Sequence, residues 1–381
     1  MKTNNIIFFF SCKKNWIIVV LTIILMSPFA LLDFPYASLL TGKTADFEFS
    51  DLYARVADKT GISKYSNDVV IVSIDGCSRD SLSKIIDTLD NKGVSVIGID
   101  ILFKTAYKND STLVNSINKA QSKVVLAVRL EERDEEIFKI IDRPYFYDSI
   151  TKPYIGAVNF PSYSVHGVIR SFKPSFYLGD ESNQTSISHF SSEIVKQYSP
   201  TSYDALKQRE NDNAEPIKFH QNNIDEFSWL DIMNHHNINL SGKIVIIGYT
   251  LDINDLKSTP TGDDMPGIYI HAKTIQTILD GSYVTISSTW WNKTIALFVS
   301  FCFVWILLYL SGLANIGNLI GRIIQIVLLI LIAVIGINIF INKNHYIDTF
   351  YTVLCIGLSQ VCFDIINGVA HIYSRVKIRE K

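Results

Sequence analysis

This 381-residue sequence is poor in cysteine, with five, and in proline, with ten, and neither sign of charge prevails. Five cysteines scattered along the chain cannot staple a disulfide scaffold, and none has the spacing of a zinc ribbon. The 35 lysines and arginines are offset by 37 aspartates and glutamates, a formal net charge of -2, so the basic surface that nucleic acid requires is missing. Catalytic signatures are scarce too. There is no P-loop, no Gly-x-Ser-x-Gly elbow and no His-Glu-x-x-His pair. Disorder is excluded, because a chain that is 48% hydrophobic and 12% aromatic buries enough surface to offset its ordering entropy.

What the chain does have is apolar sequence gathered at its two ends. Residues 16–32 (WIIVVLTIILMSPFALL) form an uncharged run close to bilayer-crossing length, since about 20 apolar residues span roughly 30 Å of hydrocarbon. Three further runs follow at residues 294–314, 323–341 and 349–366, separated by segments with room for little but a turn. The pattern predicts four transmembrane helices. Lysine and arginine in short flanking segments favour the cytoplasmic side. Lys2, Lys13 and Lys14 precede the first run, Arg322 lies between the second and third, and Arg375, Lys377, Arg379 and Lys381 follow the last. Both termini are therefore expected in the cytoplasm, residues 1–15 as a short leader and residues 367–381 as a basic tail. A cleaved signal peptide is the other reading of the first run. No convincing small-x-small site follows Leu32, and the run is long for a signal core, so a retained anchor is preferred. Four spans around one large outer segment, with no visible internal repeat, argue against a transporter.

With that topology residues 33–292 form a single extracytoplasmic domain that contains one cysteine, Cys77. Its pattern alternates strand with helix. Residues 69–75 (VVIVSID) are a β-branched run, residues 81–91 carry Leu82, Ile85, Ile86 and Leu89 at helical spacing, Gly93 stops that helix, and residues 95–102 (SVIGIDIL) form a second apolar strand. Such a strand-helix-strand unit is a right-handed crossover with parallel strands buried on both faces. A helix over 110–120 and a strand over 123–130 continue the unit. Residues 244–248 return as another buried strand, followed by a helix over 267–280. Between them the polar stretch 131–240 reads as an insertion into the same domain, with weaker strands near 155–160, 165–172, 217–219 and 224–227 and a helix near 187–198. Residues 34–64 are a candidate juxtamembrane helix. The predicted fold class is α/β, a mixed and mainly parallel sheet in one extracytoplasmic domain plus four transmembrane helices.

Four blocks in this order resemble a known family. They are residues 70–75 (VIVSID), 96–103 (VIGIDILF), 156–159 (GAVN) with 167–170 (GVIR), and 242–248 (GKIVIIG) followed by 265–272 (MPGIYIHA). Together they are similar to the type 2 CHASE domain, the cyclase- and histidine-kinase-associated extracellular sensory domain of bacteria. The resemblance covers residues 40–285 and extends to the layout, with one span before the domain and three after it. Two features depart from the family pattern: a Trp-Pro-Arg element is replaced by GCSRD at residues 76–80, and the aspartate expected before Gly167 is His166. The resemblance implies a bacterial sensor in the inner membrane with a periplasmic ligand-binding domain. Family members normally continue after the last span into a kinase, cyclase or other output module, whereas here only the basic tail follows Ile366. The expected output is therefore a separate cytoplasmic or membrane protein; a homodimer is also compatible with the layout.

Asp75 and Asp100 end two strands expected to be adjacent and parallel, where open α/β sheets place their ligand crevice. Two carboxylates there suit a cation or a small hydrogen-bonding ligand, or they cap local turns and pair with Arg79 or Arg170. His271, just inside the helix after Met265-Pro266-Gly267, is a further candidate for the same crevice or a packing residue. Arg170 is a candidate for an anion or for an ion pair. Cys77 lacks a nearby histidine and reads as a turn residue rather than a nucleophile. In the spans, Asn338 and Asp364 are the polar residues to account for.

An enzyme is the other functional class to consider for these residues. Residues 71–76 (IVSIDG) faintly match the opening of metal-dependent phosphodiesterases, but those need paired Asp and His ligands. The chain has no Asp-His dipeptide, and the run from Asp231 to His235 has the wrong spacing. The expectation is thus a non-enzymatic sensor of an unknown ligand, with no catalytic or metal residues assigned and the cofactor unknown. An envelope scaffold stands second and a membrane-anchored metal-dependent hydrolase third.

Overall fold

The structure, a computed structural model, describes residues 12–31, 49–60, 67–134, 137–161, 167–179, 185–209, 214–219, 224–235, 237–312 and 314–379. It divides into two compact units. One holds Ala54–Val284 with Lys43–Phe47; the other joins Met1–Gly42 and Glu48–Tyr53 to Thr285–Lys381. Two helices come first, α1 (Lys13–Leu31) and α2 (Phe49–Thr60). Of the juxtamembrane helix expected over 34–64, α2 is the part that falls on described residues.

In chain order the first unit continues with β1 (Val69–Ser73), α3 (Arg79–Asn91), β2 (Val96–Ile99), α4 (Asp110–Lys119), β3 (Lys123–Asp134), β4 (Ile137–Asp142) and β5 (Tyr154–Ala157). Then come β6 (Ser171–Phe172), β7 (Ser175–Leu178), β8 (Thr185–Ser188), α5 (Phe190–Tyr198), α6 (Pro200–Lys207), β9 (Glu215–Pro216), β10 (Asp225–Ser228) and α7 (Trp229–Asn234). It ends with β11 (Ile244–Gly248), β12 (Leu256–Thr259), β13 (Gly262–Pro266) and α8 (Gly267–Leu279).

The main sheet has nine strands in the order β10-β1-β11-β2-β3-β4-β7-β8, with β5 also paired to β3. It is mixed. The centre, β10 through β3, is parallel, but β3 with β4 and β7 with β8 are antiparallel, so an expectation of a mainly parallel sheet is too narrow. Both antiparallel ladders fall in the polar stretch after residue 130, where strands follow one another too closely for a helical crossover.

β1 and β2 are not neighbours. β11 lies between them, Ile71 opposite Ile246 on one side and Gly98 opposite Ile246 on the other. The crossover through α3 skips one position, and the chain fills it with a strand from more than a hundred residues later. That is why these strands read as unbroken apolar runs: alternate residues serve two cores. Val69, Ile71, Ile244, Ile246 and Val125 face α5 and α8, whereas Val70, Val72, Val245, Ile247 and Leu126 face α3 and α4. The predicted stripe Leu82, Ile85, Ile86 and Leu89 is buried on the latter side, and Gly93, at φ +72°, ends α3.

Segments of the insertion differ from their sequence reading. The helix expected over 187–198 starts only at Phe190, because Thr185–Ser188 pairs with β7 and its backbone is taken by that ladder. Of the strand expected over 165–172, residues 165–166 lie outside the described residues and the rest is strand only at β6; Ile169 instead donates its amide to Ser258 O. Residues 217–219 are not a strand, and Ile217 donates to Arg170 O. α5 seats on two glycines. A Cβ on Gly98 would lie 2.5 Å from Ile194 Cδ1, and one on Gly156 would lie 2.5 Å from Phe190 Cα.

The second unit is helical, with α1, α9 (Thr289–Ser311), α10 (Ala314–Lys343) and α11 (Phe350–Arg379). A short parallel pair, β14 (Thr285–Ile286) with β15 (His345–Tyr346), ties the segments entering α9 and α11. Among the described residues three helices are long and apolar enough to cross a membrane, Thr289–Ser311, Gly317–Lys343 and Phe350–Tyr373. The fourth expected span, residues 16–32, is not one of them. α1 opens on Lys13, Lys14 and Asn15 and contains Pro28, so its apolar stretch falls short of the about 20 residues a span needs.

α1 nevertheless packs with the others. Trp16 meets Phe301 and Trp305, Ile18 and Val19 share a core with Phe303 and Phe363, and Met26 joins Ala296 and Cys355. These contacts set α1 antiparallel to α9 and α11. Polar groups in the bundle turn inward to backbone: Thr22 donates to Ile18 O, Ser359 to Cys355 O, and Gln325 Nε2 crosses from α10 to Ile356 O at 2.8 Å. Asn338 accepts from Asn342, and Asp364 is exposed with Gln360 Nε2 at 3.4 Å.

Because the Gly156 clash is with backbone rather than a flexible side-chain end, Gly156→Ala should cost about 1–3 kcal/mol. Chemical unfolding of the full chain against wild type measures it. A neutral result contradicts the close seating of α5.

Candidate functional site

The carboxyl ends of β10, β1, β11 and β2 form one edge of the sheet, built by residues from five segments. Asp75, two residues beyond β1, is fully engaged. Its Oδ2 accepts from Ser73 Oγ at 2.6 Å, Thr250 Oγ1 at 2.8 Å and Thr250 N at 3.1 Å, and Leu251 N reaches Oδ1 at 3.4 Å. Burial alone would raise its pKa, but these hydrogen bonds outweigh it and hold the carboxyl below its usual range. Asp75 thus pins the turn after β11 to the end of β1. Thr250 extends the network to Glu226 Oε1 at 3.2 Å, and Glu226 also accepts from the Tyr269 hydroxyl on α8.

Asp100, one residue beyond β2, is different. Its amide donates to Ile247 O at 2.8 Å, yet no described residue donates a hydrogen bond to its carboxylate. It lies against Gly248, where a Cβ would stand 3.4 Å from Asp100 Cβ and 2.9 Å from Ile268 Cδ1. Burial, then the negative charge of Asp255, pushes the Asp100 carboxyl up to about 7. Asp255 sits at the start of α8, where its Oδ2 accepts the Gly267 amide at 3.1 Å, and burial raises its pKa as well. The edge therefore holds one aspartate bound by several chain donors and one half-buried aspartate whose carboxyl is pushed up, separated by the end of β11 rather than side by side.

The remaining sequence candidates lie elsewhere. Arg79 does not pair with Asp75; its Nη1 bonds Asp110 Oδ2 at 3.1 Å and Thr105 O at 3.0 Å, and its guanidinium lies over Phe103 and Tyr107. Arg170 leads into β6, where its carbonyl accepts the Ile217 amide. His271 is 2% exposed inside α8, in contact with Phe160, His189, Phe190 and Ser191 rather than with Asp75 or Asp100. Cys77 donates to Ser78 O, and burial raises its thiol pKa, which removes the thiolate a nucleophile needs. His166 lies outside the described residues. No cluster of three or more His, Cys, Asp or Glu suited to a metal occurs among the described residues.

Glu226, Thr250, Asp255 and Tyr269 had no signal of their own in the sequence. Only the short acidic run after the Gly248 strand end, Asp252 and Asp255, marks that loop as part of the edge.

The model of the CHASE2 domain family matches residues 18–313. The chain belongs to the CHASE2 domain family. This is an extracellular sensory domain family, and membership, together with three membrane-competent helices, makes the protein a membrane sensor of CHASE type. No curated protein and no solved structure matches the chain. The CHASE2 strands β1, β2 and β11 are the ones whose ends carry Asp75, Asp100 and Thr250.

A carboxyl raised in the folded state stabilises the fold while protonated. The contribution from Asp100 is complete below 3.8 and is lost as pH rises through about 7. Asp100→Asn should therefore raise unfolding stability at pH 8 by on the order of a few kcal/mol and change it little at pH 3.5. Urea midpoints at the two pH values check this; an equal effect at both contradicts an uncompensated buried charge.

Proposed function

We propose that the CHASE2 domain, residues 33–292, faces the periplasm of a bacterial cell and binds a small cationic or donor-rich ligand at the Asp100 edge. The bound state passes through the membrane helices to a separate output protein. The observation that carries this reading is the half-buried Asp100 carboxyl, held at a strand end near Asp255 with no donor among the described residues, at a cost in stability that a ligand would offset. Open α/β sheets bind ligands at such edges. Asp75 serves the site by fixing the Thr250 turn. His271 and Arg170, also candidate contacts, are assigned to packing and to segment pairing.

The antiparallel setting of α1 supports the orientation. It brings Lys13 and Lys14 to the same end of the bundle as the start of α10, with Arg322, and the end of α11, with Arg375, Lys377 and Arg379. Basic flanks gathered at one end of the bundle favour a cytoplasmic placement of that end. Coupling of about 1–3 kcal/mol is typical between a ligand site and a distant output. An envelope scaffold is the second reading, favoured by the loop after β11, where Leu251 is 77% and Ile253 82% exposed.

Thermal unfolding of the full chain in detergent, against divalent cations, amino acids and polyamines, tests the binding reading. One class should raise the midpoint by several degrees in wild type and not in Asp100→Asn, since a ligand at 100 times its Kd adds about 2.7 kcal/mol. Stabilisation by none of these, or equally in both proteins, rejects it. Orientation is checked separately with reporter fusions. A fusion within the sheet domain should be active only for an extracytoplasmic reporter, and one after residue 379 only for a cytoplasmic reporter; the reverse pattern rejects the topology.

A further inference from the structure

On the face of the sheet covered by α5 and α8, two histidines are buried side by side. His189 is 0% and His271 2% exposed, with ring centroids 5.3 Å apart. Phe160 packs against both rings at 4.9 and 4.7 Å, Phe172 and Phe176 flank His189, and Phe190 flanks His271. One residue holds the pair together. Ser191 donates its amide to His189 Nδ1 at 3.2 Å, which caps α5, and its hydroxyl lies 3.2 Å from His271 Nδ1. His189 Nε2 is buried and has no hydrogen-bond partner among the described residues.

His189 Nδ1 must be bare to accept that amide, so the ring is neutral with its proton on Nε2. A second proton, on Nδ1, sets donor against donor, uncaps α5 and leaves a cation among phenyl rings next to another imidazole. The ionisable groups on the elements packed here do not offset it. They are Lys123 on β3, Tyr154 on β5, Tyr177 on β7, Lys173 before it, Glu193, Lys196 and Tyr198 on α5, and Tyr269 and Lys273 on α8. Glu193 is already tied to Lys196 at 3.4 Å and to Gln197 at 2.8 Å. The one charge acting on His189 is that of His271, and His271 is governed by burial alone.

We infer that His189 and His271 form a proton-operated latch, which pins α5 between the sheet and α8 at neutral pH and releases it on acidification with uptake of up to two protons. The sign follows from the burial of both rings. It lowers His271 to about 3 and His189 well below 6.5, whereas in an opened state both return toward 6.5. The latch is therefore fully stabilising above 6.5 and weakens below it. Each pH unit shifts the balance toward opening by up to tenfold per histidine, a hundredfold for the pair. α8 is the last helix before the chain reaches α9, so release acts on the segment leading to the membrane helices. Asp100 titrates in the same pH window but with the opposite sign, adding stability as it is protonated, so the two effects are distinguishable and failure of either idea leaves the other standing.

Hydrogen exchange by mass spectrometry tests the latch on the full chain in detergent, between pH 7.5 and 4.5 and corrected for intrinsic rates. Protection of α5 should fall ten- to a hundredfold per pH unit below 6.5, while α3 on the opposite face keeps its protection. His189→Asn retains a capping acceptor that does not titrate; combined with His271→Gln it should flatten the α5 response, and alone it should cut the slope from two protons to one. Unchanged α5 protection down to pH 4.5, or α5 and α3 losing protection in step, overturns the latch. So does an unaltered slope in the variants. If the double variant does not fold, the wild-type comparison of α5 with α3 decides.

Discussion

The fold depends on one insertion: β11 fills the vacant position between β1 and β2. Val70 and Ile71 on one side and Ile97 and Gly98 on the other pair with this strand on their inner flank and with β10 and β3 on their outer flank, and Val245, Ile246 and Ile247 supply the middle of both cores. Neither half of the sheet is closed without it. The same strand carries Gly248 and Thr250 to the edge, so the architecture and the candidate site have one origin. A contact between residues so far apart in sequence is entropically expensive, and it is repaid by burial on two faces at once.

That edge shows how environment divides the work of two identical residue types. Asp75 has donors from Ser73, Thr250 and Leu251 and is a structural pin. Asp100 has none and lies near a second carboxylate, so its charge is a liability to the fold. Residues that burden stability without evident structural return are where binding sites concentrate. The buried histidines are a different case, since their neutral rings serve Ser191 and the larger cost, a buried cation, comes only when a proton arrives.

Much of this was legible in the sequence. Strands β1, β2, β3 and β11 were visible because two-sided burial leaves unbroken β-branched runs, and α3 because Leu82, Ile85, Ile86 and Leu89 keep helical spacing. Asp75 and Asp100 were locatable because they end those runs. Strand order was not, since nothing local states that residues 244–248 pair between strands met much earlier. Glu226, Thr250 and Tyr269 were hidden for that reason, and the role of His189 because a capping position looks like any polar residue after a strand. In the spans, uncharged composition identified α9, α10 and α11, while the first run, residues 16–32 with Pro28 inside it, falls just under the about 20 residues a span needs.

The small pair β14–β15 bears on how movement enters the membrane helices. Thr285 N bonds Asn344 O at 2.8 Å and Ser287 N bonds Tyr346 O at 3.0 Å, so the lead-in to α9 is stitched to the lead-in to α11. A pull on the chain at residue 285 does not load one helix alone. The stitch ties the starts of two parallel helices, so that displacement of one lead-in is resisted by the other.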